Sequence, residues 1–351
     1  MLFRRVAAGL AMTLVATGGA LALAQSAQAA VPDKFGFALY SGAVVSEQFP
    51  AATTVLPNPP GRFIVIFPGQ AAAGGVVHVT AVQDGLVTPP ARWCQAENWV
   101  PIGPDEYVFV SCYAPGGALD SSPGFSVMFS SSTGPVGGGL YGYTYSSPGG
   151  AIINQYNSVG AANSVAHVGV GLYSIGFIAL GTPGPNDGGL EVTAVNQFAG
   201  ARCKVGAWSS SPNGQFARIL CFDATGVLAD NAFTATYQFK RSLYGPMFPP
   251  TRFGYLWSMP ALGPPPTNFN STGPANILSG APPMWTVVYP NLAVTPGNVQ
   301  VTTFGATADF CTLRVPWVAA GTTLVYRVAC YNAGGGASPS GGFLTSYSSL
   351  F

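Results

Sequence analysis

Cys203-Lys204-Val205-Gly206-Ala207-Trp208, followed by Arg218-Ile219-Leu220-Cys221-Phe222, is the stretch on which the fold turns. Two cysteines lie 18 residues apart, and a tryptophan stands 13 residues before the second. An aromatic residue follows that cysteine directly, and Gly226 comes five residues after it. The same arrangement occurs twice more. Cys94, Trp99, Cys112, Tyr113 and Gly117 repeat it upstream, and Cys311, Trp317, Cys330, Tyr331 and Gly335 repeat it downstream. The second cysteines recur every 109 residues, so the chain consists of three copies of one unit with a period near 108 residues.

Other landmarks keep the same register. Each unit opens on an aromatic-Gly-aromatic triplet: Phe35-Gly36-Phe37, Tyr141-Gly142-Tyr143 and Phe253-Gly254-Tyr255. Alternating runs follow, with rings or aliphatic side chains at every second position: Phe63, Val65, Phe67; Tyr173, Ile175, Phe177; Trp285, Val287, Tyr289. A period of two places such residues on one face of a strand. A second run carries His78, Glu191 and Gln300 at equivalent polar positions, where solvent is expected. Gly, Pro, Asn and Ser clusters separate the runs. Asn157, Asn163, Asn270 and Asn276 are read as turn formers of the Asx type.

About a hundred residues of roughly seven short strands predict a β-sandwich of the immunoglobulin-like kind. The fold class is therefore all-β: three tandem sandwiches over residues 33–130, 138–241 and 250–351. The connections over residues 130–139 and 242–250, the latter ending in Pro249-Pro250, look short and stiff. A rod-like array is the simplest arrangement, with a compact pseudo-threefold one as its competitor.

Composition agrees. Charged residues make up only 7% of the 351, which disfavours surface helices, while 48% are hydrophobic and 46 Gly and 31 Pro punctuate the chain. Residues 1–29 read as an export signal: Arg4 and Arg5, an apolar stretch from Val6 to Ala24, and Ala27-Gln28-Ala29 as the small-residue cleavage site. Removing it leaves one more acidic group than basic, without the clustered Lys and Arg that nucleic-acid binding needs. No later segment is long and apolar enough for a helical membrane span. Export and the matched pairs predict disulfides Cys94–Cys112, Cys203–Cys221 and Cys311–Cys330, each at the open end of a hairpin. Zinc ligation, the rival use, needs closely spaced Cys or His pairs that are missing.

Catalytic signals are sparse. His78 and His167 are the only histidines, and no Gly-x-Ser-x-Gly elbow occurs. His167 is expected in a turn. No cofactor or metal is expected, since calcium-loop, phosphate-loop and dinucleotide motifs are lacking. Paired carboxylates remain the route to hydrolysis, from Glu97, Asp105, Asp120 and Asp230. Glu97, Asp105 and Glu106 fall in an expected hairpin loop, where solvated charge explains them. Trp99, Trp208 and Trp317 are read as core side chains against the disulfides. Trp93 and Trp257 break the repeat pattern and are the candidate exposed ligand contacts.

The chain resembles a repeat of actinobacterial secreted proteins whose function is unknown. The resemblance rests on Phe63 to Gly69, Gly189 to Ala194, Cys203 to Trp208 and Arg218 to Phe222. It implies secretion and tandem β-sandwiches, and no activity. The resulting expectation is a secreted, non-enzymatic binding or adhesion protein that contacts extracellular polysaccharide or the cell envelope. An extracellular hydrolase with a carboxylate site in one repeat, and a self-associating structural surface protein, are the alternatives.

Overall fold

The computed structural model describes residues 33–351, apart from Asp84, 86–89, Pro123, 135–137, Pro185, 246–251, 260–262 and 339–340. The export signal expected over 1–29 and the Pro249-Pro250 pair lie outside the described residues. The described chain is all-β. Unit 1 contributes β1 (Lys34–Tyr40), β2 (Val45–Phe49), β3 (Thr54–Asn58), β4 (Arg62–Phe67), β5 (Val76–Val82), β6 (Trp93–Ile102), β7 (Asp105–Tyr113) and β8 (Gly124–Ser131). Unit 2 contributes β9 (Leu140–Ser146), β10 (Ile152–Asn157), β11 (Ser164–Gly169), β12 (Leu172–Ile178), β13 (Gly189–Val195), β14 (Ala201–Ser211), β15 (Gly214–Asp223) and β16 (Ala232–Phe239). Unit 3 contributes β17 (Phe253–Ser258), β18 (Thr267–Asn270), β19 (Ile277–Ala281), β20 (Met284–Tyr289), β21 (Gly297–Phe304), β22 (Phe310–Ala320), β23 (Thr323–Tyr331) and β24 (Gly342–Ser349).

Each unit is a sandwich of two four-stranded antiparallel sheets, so eight strands replace the seven expected. In unit 1 the order β2-β1-β8-β5 faces β3-β4-β7-β6, and units 2 and 3 repeat it. Period-two alternation builds the core: Phe63, Val65 and Phe67 are buried while Ile64 and Ile66 are half-buried. They meet Tyr40, Val77, Val79, Phe125, Val127 and Phe129 from the facing sheet. The triplet glycine answers a close approach, because a Cβ on Gly36 would lie 2.5 Å from the Phe67 ring. The glycine after each second cysteine has a different reason. Gly117, Gly226 and Gly335 sit at φ of 89°, 92° and 85°, a turn conformation that side chains resist. The three disulfides join directly opposed residues of β6–β7, β14–β15 and β22–β23, with Cα separations of 4.0–4.1 Å. They place the chain among proteins of an oxidising compartment. No helix among the described residues is long and apolar enough to cross a membrane.

The rod-like arrangement is not what forms. Each sheet runs on into a neighbouring unit through a short parallel contact, at Val82–Leu313, Ala96–Val195 and Val205–Phe304. The result is three eight-stranded sheets, each shared between two units, closed into a pseudo-threefold ring. The outer faces of the β1, β9 and β17 sheets meet along its axis.

That axis corrects a second expectation. His78, Glu191 and Gln300 are not solvated; they are 1%, 2% and 1% exposed. Each is held by hydroxyls of the next unit round the ring. His78 Nδ1 and Nε2 meet Thr193 at 3.2 Å and Thr236 at 2.7 Å. Glu191 accepts from Thr302 and Ser346 at 2.7 and 2.8 Å. Gln300 accepts from Thr80 at 2.8 Å and donates to Ser126 at 3.2 Å. The same three threonines accept backbone N–H groups across the seams: Val79 to Thr193, Val192 to Thr302 and Val301 to Thr80. Burial without such partners would cost each polar group roughly 1–3 kcal/mol, so the hydroxyls are what let a polar face close on itself.

Candidate functional site

At the seam between units 1 and 2, β6 and β13 meet in parallel at Ala96 and Val195, and the chain then leaves β13 as the loop 196–200. Asn196 shapes this loop. Its Oδ1 accepts the N–H groups of Phe198 and Ala199 at 2.9 and 3.1 Å, and its Nδ2 donates to Asn231 at 2.7 Å. Gln95, reaching across from unit 1, donates to the carbonyls of Asn196 and Ala199 and accepts from the Ala201 N–H at 2.7 Å. A loop tied at both ends has no freedom to fold its ring inward. Phe198 accordingly stands 84% exposed, the most open of the large apolar side chains among the described residues.

Beside it lies a groove of about 350 Å³. Its walls include Glu97, Tyr145, Asn196, Gln197, Asp230 and Asn231. Glu97 pairs with Arg62 Nε at 3.0 Å, and Arg62 also donates to the Gln197 carbonyl at 3.3 Å. Burial pushes the Glu97 carboxyl above its ordinary value, against the opposing pull of Arg62. Asp230 is solvated. The Gly171 N–H at 2.7 Å and then His167 Nε2 at 2.8 Å hold its carboxyl below the usual range. Tyr145 is fixed from behind by Trp99, with ring centroids 4.6 Å apart. The groove is thus lined by amides, a phenol and two carboxylates of opposite tendency, next to one open ring. Such a lining suits a hydroxyl-rich ligand, and the volume lies in the range of small-ligand sites.

Only part of this was named from sequence. Glu97 and Asp230 come together, one from each unit. Asp105 and Asp120 lie elsewhere: Asp105 caps the Gly69 N–H at 2.9 Å, and Asp120 faces Arg92 at 3.4 Å. Glu106 is not solvated but fully buried on β7, accepting the Ala72 N–H, and burial raises it to about 7. His167 occupies an irregularity of edge strand β11 rather than a turn.

Trp93 and Trp257, expected to be exposed, are 5% and 4% exposed. Trp93 packs on Tyr113 and Phe310, with centroids 5.6 and 5.5 Å away. Trp257 of unit 3 enters the core of unit 2 against Trp208 at 5.4 Å. Both break the repeat pattern because they fill seams between units, which a rod would have left open. Trp208 and Trp317 are core, as read, and Trp99 is half-buried behind the groove.

Asn157 and Asn270 do make Asx turns. Asn163 and Asn276 instead donate to strand carbonyls and so latch the loops to β9, β10, β17 and β18. Phe198 went unnoticed in the sequence. Its signal was an aromatic residue flanked by Asn196, Gln197 and Gly200, with no counterpart in the other units.

Neither histidine has a serine hydroxyl bonded to it among the described residues; His167 meets Asp230, and His78 meets two buried threonines. The same residues contain no group of three or more His, Cys, Asp or Glu side chains disposed to hold a metal ion. Compared with known proteins, the chain matches no family model, no curated protein and no solved structure.

Proposed function

We propose that this is an exported binding protein which holds a segment of an uncharged, hydroxyl-rich polymer, a polysaccharide of the cell envelope or its surroundings, in the groove at the unit 1–unit 2 seam. The open Phe198 ring, braced by Asn196 and Gln95 beside amides and carboxylates, is the observation that carries this reading. A loop whose backbone is already braced loses little further freedom on binding, so presenting its ring to a sugar face comes at reduced entropic cost. Glu97, Asp230 and Asn231 would then bond the hydroxyls. The disulfides and the leader-like residues 1–29 support export. The test is co-sedimentation of residues 30–351 with insoluble chitin, cellulose and peptidoglycan. Retention should weaken about tenfold in Phe198→Ala, near 1.4 kcal/mol. Equal retention of both proteins would reject the groove as the contact.

One observation favours hydrolysis as a second reading. Glu97 and Asp230 share the groove with their ionisation pushed in opposite directions, the pattern of a proton donor and a carboxylate partner. Soluble sugar released by the native chain, and abolished in both Glu97→Gln and Asp230→Asn, would establish it. Retention without release would leave binding alone.

A further inference from the structure

The pseudo-threefold axis ends, on the disulfide side, in a small, partly open cavity of about 50 Å³. Three equivalent positions meet there, the residues immediately before the first cysteines: Trp93, Arg202 and Phe310. The Arg202 guanidinium lies between the two rings, 4.6 Å from the centroid of Trp93 and 4.8 Å from that of Phe310. The side chain is only 6% exposed, and burial lowers its pKa to about 10. One nitrogen, Nη2, donates to the Asp223 carbonyl at 3.4 Å. Among the described residues no carboxylate comes within ion-pair distance of this guanidinium, and its Nε and Nη1 have no hydrogen-bond partner. The indole Nε1 of Trp93 and the hydroxyl of Thr312, both lining the same cavity, are likewise unpartnered. Four buried polar atoms without partners, three of them donors only, therefore belong to three side chains lining one space, beside a positive charge that Asp223 and Asp309 offset electrostatically but without an ion pair.

A buried charge needs compensation, and buried donors need acceptors. Stacking between rings attracts the cation but satisfies none of its N–H groups. On this measure of volume a single water needs roughly 10–15 Å³, so the cavity admits a halide or a one-carbon carboxylate and excludes a sugar. We propose that the axial cavity is a binding site for a small monovalent anion, of halide or formate size, held by Arg202, the Trp93 indole N–H and the Thr312 hydroxyl. The anion acts as a common counterion for three units, since Trp93, Arg202 and Thr312 each come from a different one. Repetition accounts for the asymmetry: one unit supplies the charge, and the other two supply at the same place the rings that flank it.

The test uses the mature chain, residues 30–351, dialysed into sodium gluconate. Sodium chloride, bromide, formate or sulfate is then exchanged in at constant ionic strength while the melting temperature is followed. Chloride, bromide and formate should raise it by a few degrees along a saturating curve, and sulfate should not. Crystals grown with bromide should show an anomalous peak beside Arg202. The saturating rise should vanish in Arg202→Met and weaken in Thr312→Val; if Arg202→Met does not fold, Thr312→Val and the bromide peak decide. Water density alone in the cavity, or a bromide peak without any saturating rise, would overturn the proposal. So would a rise that persists unchanged in the variants.

Discussion

Glu191 and His78 stand at the same position of their units, and the ring brings both to its axis without placing them against each other. Burial moves them in opposite senses: Glu191 up to about 8 and His78 down to about 3. From its ordinary 4.5, Glu191 takes up a proton on folding. Its contribution to stability is complete below pH 4.5 and is lost as the pH rises through 8. His78 gives up a proton on folding. Its contribution is complete above 6.5 and is lost as the pH falls through 3. Each slope is about 1.4 kcal/mol per pH unit. Between pH 4.5 and 6.5 the two cancel, and above 6.5 Glu191 prevails. Glu106, raised to about 7, adds a decline of the same sign whose slope has halved at pH 7 and fades by about pH 8. Between pH 7 and 8 Glu191 contributes the largest change, while the smaller tails of Glu106 and of Lys204, which burial lowers to about 8, carry opposite signs and largely cancel. Urea unfolding should find the native chain about 1 kcal/mol less stable at pH 8 than at pH 7, with most of that loss absent in Glu191→Gln. An equal loss in both proteins would show that Glu191 ionises freely in the fold.

At the scale of elements, the cysteine hairpins were legible because a covalent constraint and a packing constraint coincide in them. The cysteines must oppose each other across two strands, and the tryptophan must reach the core beside them, so spacing alone reveals the hairpin. Each bridge closes 18 or 19 residues, and the chain-entropy model values such a loop at about 3 kcal/mol. Cys203→Ala combined with Cys221→Ala should lower the unfolding free energy by about that amount in urea while the far-ultraviolet spectrum stays β-rich. A loss below about 1 kcal/mol would mean that sheet pairing already restrains the hairpin in the unfolded chain. The polar faces were misjudged for an equally physical reason. Alternation says which side chains of β5, β13 and β21 share a face, but not what covers that face. Thr80, Thr193 and Thr302 look like surface residues until three such faces close on one another. The groove was half legible: Glu97 and Asp230 were named for their charge, whereas Phe198 takes its meaning from a loop that Gln95 of another unit holds in place.

For the whole molecule, the seams make the units interdependent. Trp257 completes the core of unit 2, Val195 and Ala232 complete that of unit 1, and each axial side chain is satisfied by a neighbouring unit. A lone unit 2, residues 138–241, would expose Glu191, Thr193 and the seam edges of β13 and β14. It should show no cooperative unfolding as a monomer, while the complete chain unfolds in one transition seen alike by tryptophan fluorescence and far-ultraviolet dichroism. A stable monomeric unit 2, or three separable transitions, would refute this interdependence. Reading a repeat from sequence reveals the brick and its count. How the bricks close depends on residues that differ between copies, such as Trp93, Arg202 and Phe310 at one site, and these carry no period to follow.

The ring has one further consequence, and it concerns where the polypeptide is cut. Phe35, at the start of the described chain, and Leu350, near its end, pack in one cluster with Leu243 and Tyr244. Asp33 accepts the Thr133 N–H at 3.0 Å beside the connection from unit 1 to unit 2. By the repeat register, the steps from 132 to 139 and from 240 to 252 correspond to the step from 350 to 33. A circular permutant that begins at Leu140, runs to Phe351, rejoins through a short Gly-Ser bridge to Asp33 and ends at Ser132 should fold to the same ring with all three disulfides. Its melting temperature should stay within a few degrees of the native chain's. The fold then follows from the circuit of contacts between units and not from the point at which the backbone enters it.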